Sequence, residues 1–217
     1  MRIQRAFLRR VVSYLIDAGV RQFVDLGSGI PTAGNVHEVA HAVDPDSRVL
    51  YVDNKSDVVA ESRSILNGKR NVAVALADLT RPDQVLDSPE RKALIDLSQP
   101  VAVLLIDVLH LVPDEDDPTD LVGNYLDALC SGSYLSISHT TSRDTLVDGL
   151  VLANRMYHTL LPQLTVRDPI ALKEFFKRLD VIEPGIVPIP LWRPQPDQDT
   201  DRNPKQFPGY AGLGRKP

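Results

Sequence analysis

Five runs of aliphatic and β-branched residues limit what this chain can fold into more than any other feature. They lie at 21–27 (RQFVDLG), 48–53 (RVLYVD), 71–78 (NVAVALAD), 101–110 (VAVLLIDVLH) and 132–140 (GSYLSISHT). They show little alternation of apolar with polar residues, the mark of strands covered on both faces. Between them and beyond them, apolar residues recur at helical spacing, at 3–18, 35–43, 56–66, 81–97, 118–130, 143–161 and 168–179. This alternation predicts an α/β fold: a doubly wound, mostly parallel sheet with helices on both faces. The punctuation agrees. Gly19 and Asn67-Gly68 stop two of the helices, Asn35 and Glu38 have the spacing of a capping box, and Asp168-Pro169 is a cap followed by proline at the first helical position. Near the end, 179–192 (LDVIEPGIVPIPLW) and the terminal GYAGLGRKP read as two strands with no helix between them, hence an antiparallel hairpin at the sheet edge. The stretch 193–208, with Pro194, Pro196, Pro204 and Pro208, reads as a flexible loop before the last strand. With no repeat and no second pattern, 1–217 is read as one domain opened by an N-terminal helix at 1–19.

A net charge of −5 gives no electrostatic reason to expect a nucleic-acid partner, and Arg5, Arg9 and Arg10 form too small a basic group to argue otherwise. The single cysteine, Cys130, excludes an internal disulfide and fits a reducing compartment; within YLDALC it reads as a buried, inert thiol. No apolar run reaches 18 residues, so no membrane span is expected. MRIQRAFLRRVVSYL interleaves basic with apolar residues and lacks a separate apolar core and a small-residue cleavage site. It reads as a surface helix, not a signal peptide, and the expected location is the cytoplasm.

Residues 23–41, FVDLGSGIPTAGNVHEVAH, contain two motifs that point to different chemistries. His37-Glu38-Val39-Ala40-His41 has the HExxH spacing by which a helix offers two imidazoles to zinc, and Glu61 stands at a spacing seen for a third ligand. However, the strand at 48–53 puts His41 and Glu61 on different crossover helices. The helix must also bury Val36, Val39, Ala40 and Val43, so its histidines are read as solvent-facing or core-edge residues and no metal is assigned.

The glycine turn has the better setting. Gly27-Ser28-Gly29 follows a strand and precedes a helix, and Asp53 closes the next strand; a doubly wound sheet binds its ligand across these carboxyl ends. The two glycines bare the backbone for close approach, and Asp53 is placed to accept from ribose hydroxyls. A dinucleotide pyrophosphate normally meets GxGxxG at a helix N-terminus. Here the sixth position is Thr32, and Asp25 would repel a pyrophosphate. Asp25 suits an ammonium group instead, and Asp78, closing the third strand, can accept from an adenine amino group. Three carboxylates on neighbouring strands favour a cationic nucleoside cofactor, S-adenosyl-L-methionine, over the nicotinamide of an NAD(P)-dependent oxidoreductase.

FVDLGSGIPT, LYVDNKSD, ADLTRP, LLIDVLHLVPDEDDP, GSYLSISH, FFKRLDVIEPGIVP with LWRP, and YAGLGRKP run the length of the chain. In these strings it resembles an actinobacterial family of S-adenosylmethionine-dependent methyltransferases of undefined substrate. The resemblance implies the class I methyltransferase sheet, seven strands ordered 3-2-1-4-5-7-6 with the seventh antiparallel. It also implies cofactor contacts from Asp25, Gly27, Ser28 and Gly29, from Asp53 and Asn54, from Asp78 and Leu79, and from Asp107 and Val108 at the end of the fourth strand. Family members carry an upstream segment with a Tyr-Asp-Tyr and a Gly-Gly-Lys-Asp-Asn-Phe stretch, where here Met1 stands almost directly before QRAFLRR. That departure motivates a second reading, a protein that holds the cofactor without turnover.

Methyl transfer from such a cofactor asks the protein mainly for alignment and exclusion of water. A base is needed only where an oxygen or nitrogen acceptor loses a proton; His110 and His139, ending the fourth and fifth strands, are the candidates. The expected partner is a small-molecule methyl acceptor, whose pocket falls to 110–125 and 140–167, stretches without a distinctive motif. Asp114-Glu115-Asp116-Asp117 reads as a solvated helix start. Tyr157 and His158 read as packing residues, and Trp192 as an anchor beside the edge hairpin.

Overall fold

The computed structural model describes residues 2–31, 34–141, 164–195 and 207–217. The helix expected at 143–161, with Tyr157 and His158, and most of the loop at 193–208 lie outside them. Strands β1 (Gln22–Leu26), β2 (Arg48–Asp53), β3 (Val72–Leu76), β4 (Ala102–Ile106) and β5 (Tyr134–Thr140) run parallel in the order β3-β2-β1-β4-β5. Two short strands follow, β6 (Asp180–Val181) and β7 (Val187–Pro188), and then β8 (Gly209–Arg215). β8 pairs antiparallel with β5 on one side and with β6 and β7 on the other. The order is the expected one, with β8 as the antiparallel strand. Among the described residues the expected penultimate strand is seen as two short ones, β6 and β7, divided by a turn at Gly185 (φ +89°), so the sheet has eight strands in the expected order.

Side-chain alternation sorts the sheet into two faces. Val24, Leu26, Leu50, Val52, Val103 and Leu105 pack toward α4 (Pro82–Leu86), α5 (Pro89–Leu94), α6 (Pro118–Ala128) and α7 (Pro169–Glu174). Phe23, Val49, Tyr51, Ala102 and Leu104 face α1 (Arg2–Asp17), α2 (Val36–Val43) and α3 (Ser56–Ile65). Asp25 follows Val24 in β1 and so falls on the α1–α2 side.

Several boundaries differ from the sequence expectation, each for a local reason. α1 is a core helix: Phe7, Val11, Val12 and Leu15 are fully buried, each contributing roughly 1.5–3 kcal/mol. Arg10 is buried with them, its Nε donating to the Trp192 carbonyl (2.7 Å) and its Nη2 to that of Ile189 (2.9 Å). Trp192 is the expected anchor, edge-on to Phe7 and Tyr14. The helix expected at 81–97 is two helices: Pro89 has no N–H to continue the ladder, and Ser88 Oγ accepts from the Arg91 N–H instead (3.2 Å). In α2, His37 takes an inward position and Val43, at 61% exposure, does not. Cys130 lies just past α6 and is half-buried, its Sγ 3.7 Å from Ser133 Oγ. β4 stops at Ile106, so His110 lies in a 3-10 turn, Leu109–Leu111, rather than in a strand. Among the described residues no helix is long and apolar enough to cross a membrane.

Candidate functional site

The parallel strands end on one rim, and the glycine turn lies at its centre. The N–H groups of Gly27 and Ser28 both donate to the Val52 carbonyl (2.8 and 3.0 Å), extending the β1–β2 ladder into the turn. Gly27 has φ +68°, and a Cβ there would lie 2.3 Å from Val108 Cγ2 and 3.4 Å from Leu79 Cδ2. Gly29 is also left-handed (φ +61°), with open space around it, and its N–H donates to Asp53 Oδ2 (3.0 Å). The other Asp53 oxygen accepts from the Lys55 N–H (3.0 Å), so this carboxylate fastens the turn to the end of β2. Asn54 beside it is exposed. Asp78 lies past the end of β3, where its Oδ1 accepts from the Thr80 N–H and hydroxyl (2.9 and 2.8 Å), and the Leu79 carbonyl accepts from Tyr125 (2.7 Å).

A cleft of about 150 Å³ opens where the start of α1 crosses this rim; Gln4, Arg5 and Leu8 form one wall and Asp25, Asn35 and Asp107 another. It brings together Asp25, Gly27, Ser28 and Asp107 of the expected cofactor residues. Asp53 stands behind it, joined through Gly29, and Asp78 is farther along the rim. Asp25 is only 8% exposed, and among the described residues no donor is hydrogen-bonded to its carboxylate. Burial, and then the charge of Asp53, push its pKa up to about 7. Such a group is completed by a cation. A larger cavity, about 290 Å³ beside α6 and lined by Asp120, Phe175 and Arg178, contains none of the expected cofactor residues, although its lining residues Asp117, Thr119, Asp120, Val122 and Gly123 fall in the stretch 110–125.

On the acceptor side, Asp107 has φ +58° and is held there by Ser138, whose carbonyl and hydroxyl both accept from its N–H (3.1 and 3.0 Å). The Ser138 hydroxyl in turn donates to Gln4 Oε1 (3.0 Å), linking α1 to the end of β4. The His110 ring is buried with Nδ1 3.6 Å from Asp107 Oδ1 and edge-on to His139 (5.8 Å between centroids). Burial lowers its pKa, Asp107 opposes that and Arg167 reinforces it. His139 is fully buried. Its Nε2 faces Arg167 Nη1 at 3.0 Å, and a guanidinium can only donate, so Nε2 is the acceptor and Nδ1–H donates to the Thr140 carbonyl (2.5 Å). Burial pulls this histidine down to about pKa 4. Both its nitrogens are thereby engaged, and neither is left to take a proton from an acceptor.

Arg167 was not foreseen, and no local sequence signal marks it. It is buried and donates to the carbonyls of Leu109 (2.9 Å) and Val112 (2.7 Å), to His139, and through Nε to Asp114 Oδ1 (2.9 Å). Asp114 is therefore an ion-pair partner, while Asp117 caps α6 by accepting from the Asp120 N–H (3.0 Å). The HEVAH residues have their own partners. Tyr51 Oη accepts from the His37 N–H (3.0 Å) and lies 2.7 Å from His37 Nδ1, and His41 Nε2 lies 2.9 Å from the Ser47 carbonyl. The Glu38 carboxylate accepts from the backbone of Gly34 and Asn35, and Glu61 is on α3, across β2.

The profile of the S-adenosyl methyltransferase family matches residues 1–217. A DUF574 family protein from Streptomyces avermitilis superposes with a TM-score of 0.92 at 36% identity, over 100% of this chain and 84% of that one. A Thermobifida fusca protein described as a methyltransferase superposes with a TM-score of 0.90 at 37% identity, over 99% and 80%. Human N-acetylserotonin methyltransferase in complex with S-adenosylmethionine, at 14% identity and TM-score 0.58 over 96% of this chain and 51% of that one, shares the fold. No curated protein matches the chain.

Proposed function

The chain belongs to the S-adenosyl methyltransferase family and is an S-adenosylmethionine-dependent methyltransferase; from that premise we propose that it methylates a small molecule by in-line transfer at the cleft under α1. The observation that carries the site is the Asp25 carboxylate, buried beside the glycine turn with no donor hydrogen-bonded to it among the described residues, and fit to receive the cofactor's ammonium group. Around it, Asp53 with Asn54 is assigned to the ribose hydroxyls and Asp78 to the adenine amino group. The backbone of Gly27, Ser28 and Gly29 approaches the ligand, and Leu79, Asp107 and Val108 bound it. When bound, the cofactor supplies a methyl group already activated on a sulfonium. What remains for the chain is alignment, exclusion of water by α1 and, where the acceptor bears a proton, its removal.

His110 is the group assigned to that removal. Its Nδ1 is buried without a hydrogen-bond partner among the described residues, 3.6 Å from Asp107 Oδ1, and its lowered pKa keeps the ring neutral near pH 7. His139, the other candidate, has no free lone pair and serves to pack and orient. The oxidoreductase alternative finds no support in the family or in its structural relatives. The single cysteine supports a cytoplasmic location.

Calorimetry with S-adenosylhomocysteine and with NADH, followed by transfer of labelled methyl into a cell extract, tests this reading. Binding of the first ligand alone and label in small molecules are expected, with His110→Gln lowering the transfer rate by about 100-fold or more at unchanged cofactor affinity. Label found only in macromolecules would overturn the small-molecule assignment.

A further inference from the structure

The 3-10 turn that carries His110 is closed by the Leu111 N–H to the Val108 carbonyl (2.9 Å) and the Val112 N–H to the Leu109 carbonyl (3.1 Å). A turn this short gains little from itself and takes its geometry from its surroundings. Here one segment from far along the chain supplies them. The Thr165 N–H donates to the His110 carbonyl (2.7 Å), and Arg167 holds the carbonyls on either side, Leu109 through Nη1 (2.9 Å) and Val112 through Nη2 (2.7 Å).

The imidazole has no fastening of its own at Nδ1, which is buried 3.6 Å from Asp107 Oδ1 with no hydrogen-bond partner among the described residues. Its orientation therefore rests on the backbone beneath it and on the His139 ring packed edge-on against it. Arg167 governs both. Its Nη1 donates to His139 Nε2 (3.0 Å) as well as to the turn, while Nε and Nη2 meet Asp114 Oδ1 (2.9 and 2.8 Å). Among the described residues, each hydrogen bond of this buried side chain ends on 109–114 or on His139. The helix that starts just after it, α7, is capped by Asp168 instead. A tie that merely joined two elements could end on any carbonyl within reach; these donors converge on the surroundings of one imidazole. Only a planar fork can serve Leu109, Val112, Asp114 and His139 at once.

We propose that Arg167 is a positioning residue for methyl transfer: it sets the turn and the facing ring that aim His110 at the methyl acceptor. The proposal rests on the assignment of proton removal to His110.

A double-mutant cycle on the rate of labelled methyl transfer into small molecules of a cell extract separates positioning from stability. Arg167→Lys keeps the charge and loses the fork, so the rate should fall about tenfold or more, with S-adenosylhomocysteine bound as tightly as by the wild type. In a His110→Gln background, assayed at proportionately higher protein concentration, the same substitution should cost less than about twofold, because the group it positions is gone. A loss of the same size in both backgrounds, or no loss in either, would overturn the inference alone. Should Arg167→Lys lose its near-ultraviolet circular dichroism, Asp114→Ala carries the cycle. It removes an exposed carboxylate and leaves the guanidinium its other acceptors, so a loss of about threefold, confined to chains with His110, is expected. A loss not so confined, or none, sinks the inference. A wild type that transfers no label, or a His110→Gln chain as fast as the wild type, would remove the assignment to His110 and this inference with it.

Discussion

Asp25 is the side chain on which burial acts with the clearest consequence. Its pKa lies near 7 in the folded chain against 3.8 for the free group, so between these values the folded state holds a proton that the unfolded state has lost. The sign follows: stability falls as pH rises from about 4 to about 7 and is level above that. Asp25→Asn should remove the dependence and exceed the wild type above pH 7 by up to a few kcal/mol, while matching it near pH 4; chemical denaturation at both pH values checks this. An ammonium ligand needs the carboxylate ionised, so binding expels the proton. S-adenosylhomocysteine should lose as much as tenfold in affinity per pH unit below 7, and a flat profile from pH 5.5 to 8 would contradict the pairing. The sequence showed this residue and its charge. It could not show that, among the described residues, no donor reaches it, because that depends on groups such as Leu8 and Asn35 that the fold brings to the same cleft.

Between β1 and α2, the glycine turn could be read from its spacing, but the two glycines are constrained differently. Gly29 needs only a left-handed backbone, whereas Gly27 also sits against Val108 from the end of β4. Gly29→Ala should therefore cost roughly 1–2 kcal/mol and Gly27→Ala roughly 3 kcal/mol or more, read from denaturation midpoints. Val108→Ala in the Gly27→Ala background should recover part of the second loss and none of the first. Other elements were legible as types and not as extents. The β4 run reads as a strand through His110, yet Asp107 turns left-handed on the support of Ser138 in β5. The stretch at 81–97 has helical spacing throughout and breaks at Pro89, where a nearby serine serves as the new cap.

Across the whole molecule, two apolar layers enclose the sheet, and Arg167 ties the loop after β4 to the end of β5 over one of them. Arg167→Met would leave His139 Nε2 and the carbonyls of Leu109 and Val112 without their donor. A loss of roughly 3–5 kcal/mol is expected, lowering the thermal midpoint by on the order of 10 °C. The His139 pKa should at the same time rise from about 4, since a positive neighbour and a hydrogen bond to its neutral form are both removed; imidazole resonances followed against pH would report it. An unchanged His139 titration would show that Arg167 does not hold that ring. Arg10 does comparable work on the opposite face, joining α1 to the segment at 189–192.

Chain-local chemistry set the strand and helix alternation, the glycine turn, the carboxylates at or near the ends of successive strands and the strings that identify the family. Each of these depends on a residue and its near neighbours, which a sequence contains in full. Tertiary structure alone decided that Asp25 faces α1, that His139 spends both nitrogens while His110 does not, that Arg10 and Arg167 lie buried, and that Asn35 has one donor unspent. Those outcomes are differences in solvation and pairing between groups brought together from distant parts of the chain, such as Gln4 with Ser138 and His139 with Arg167. Water is removed from a polar group only when the last of its neighbours arrives, and the order of residues along the chain does not say which neighbour that will be.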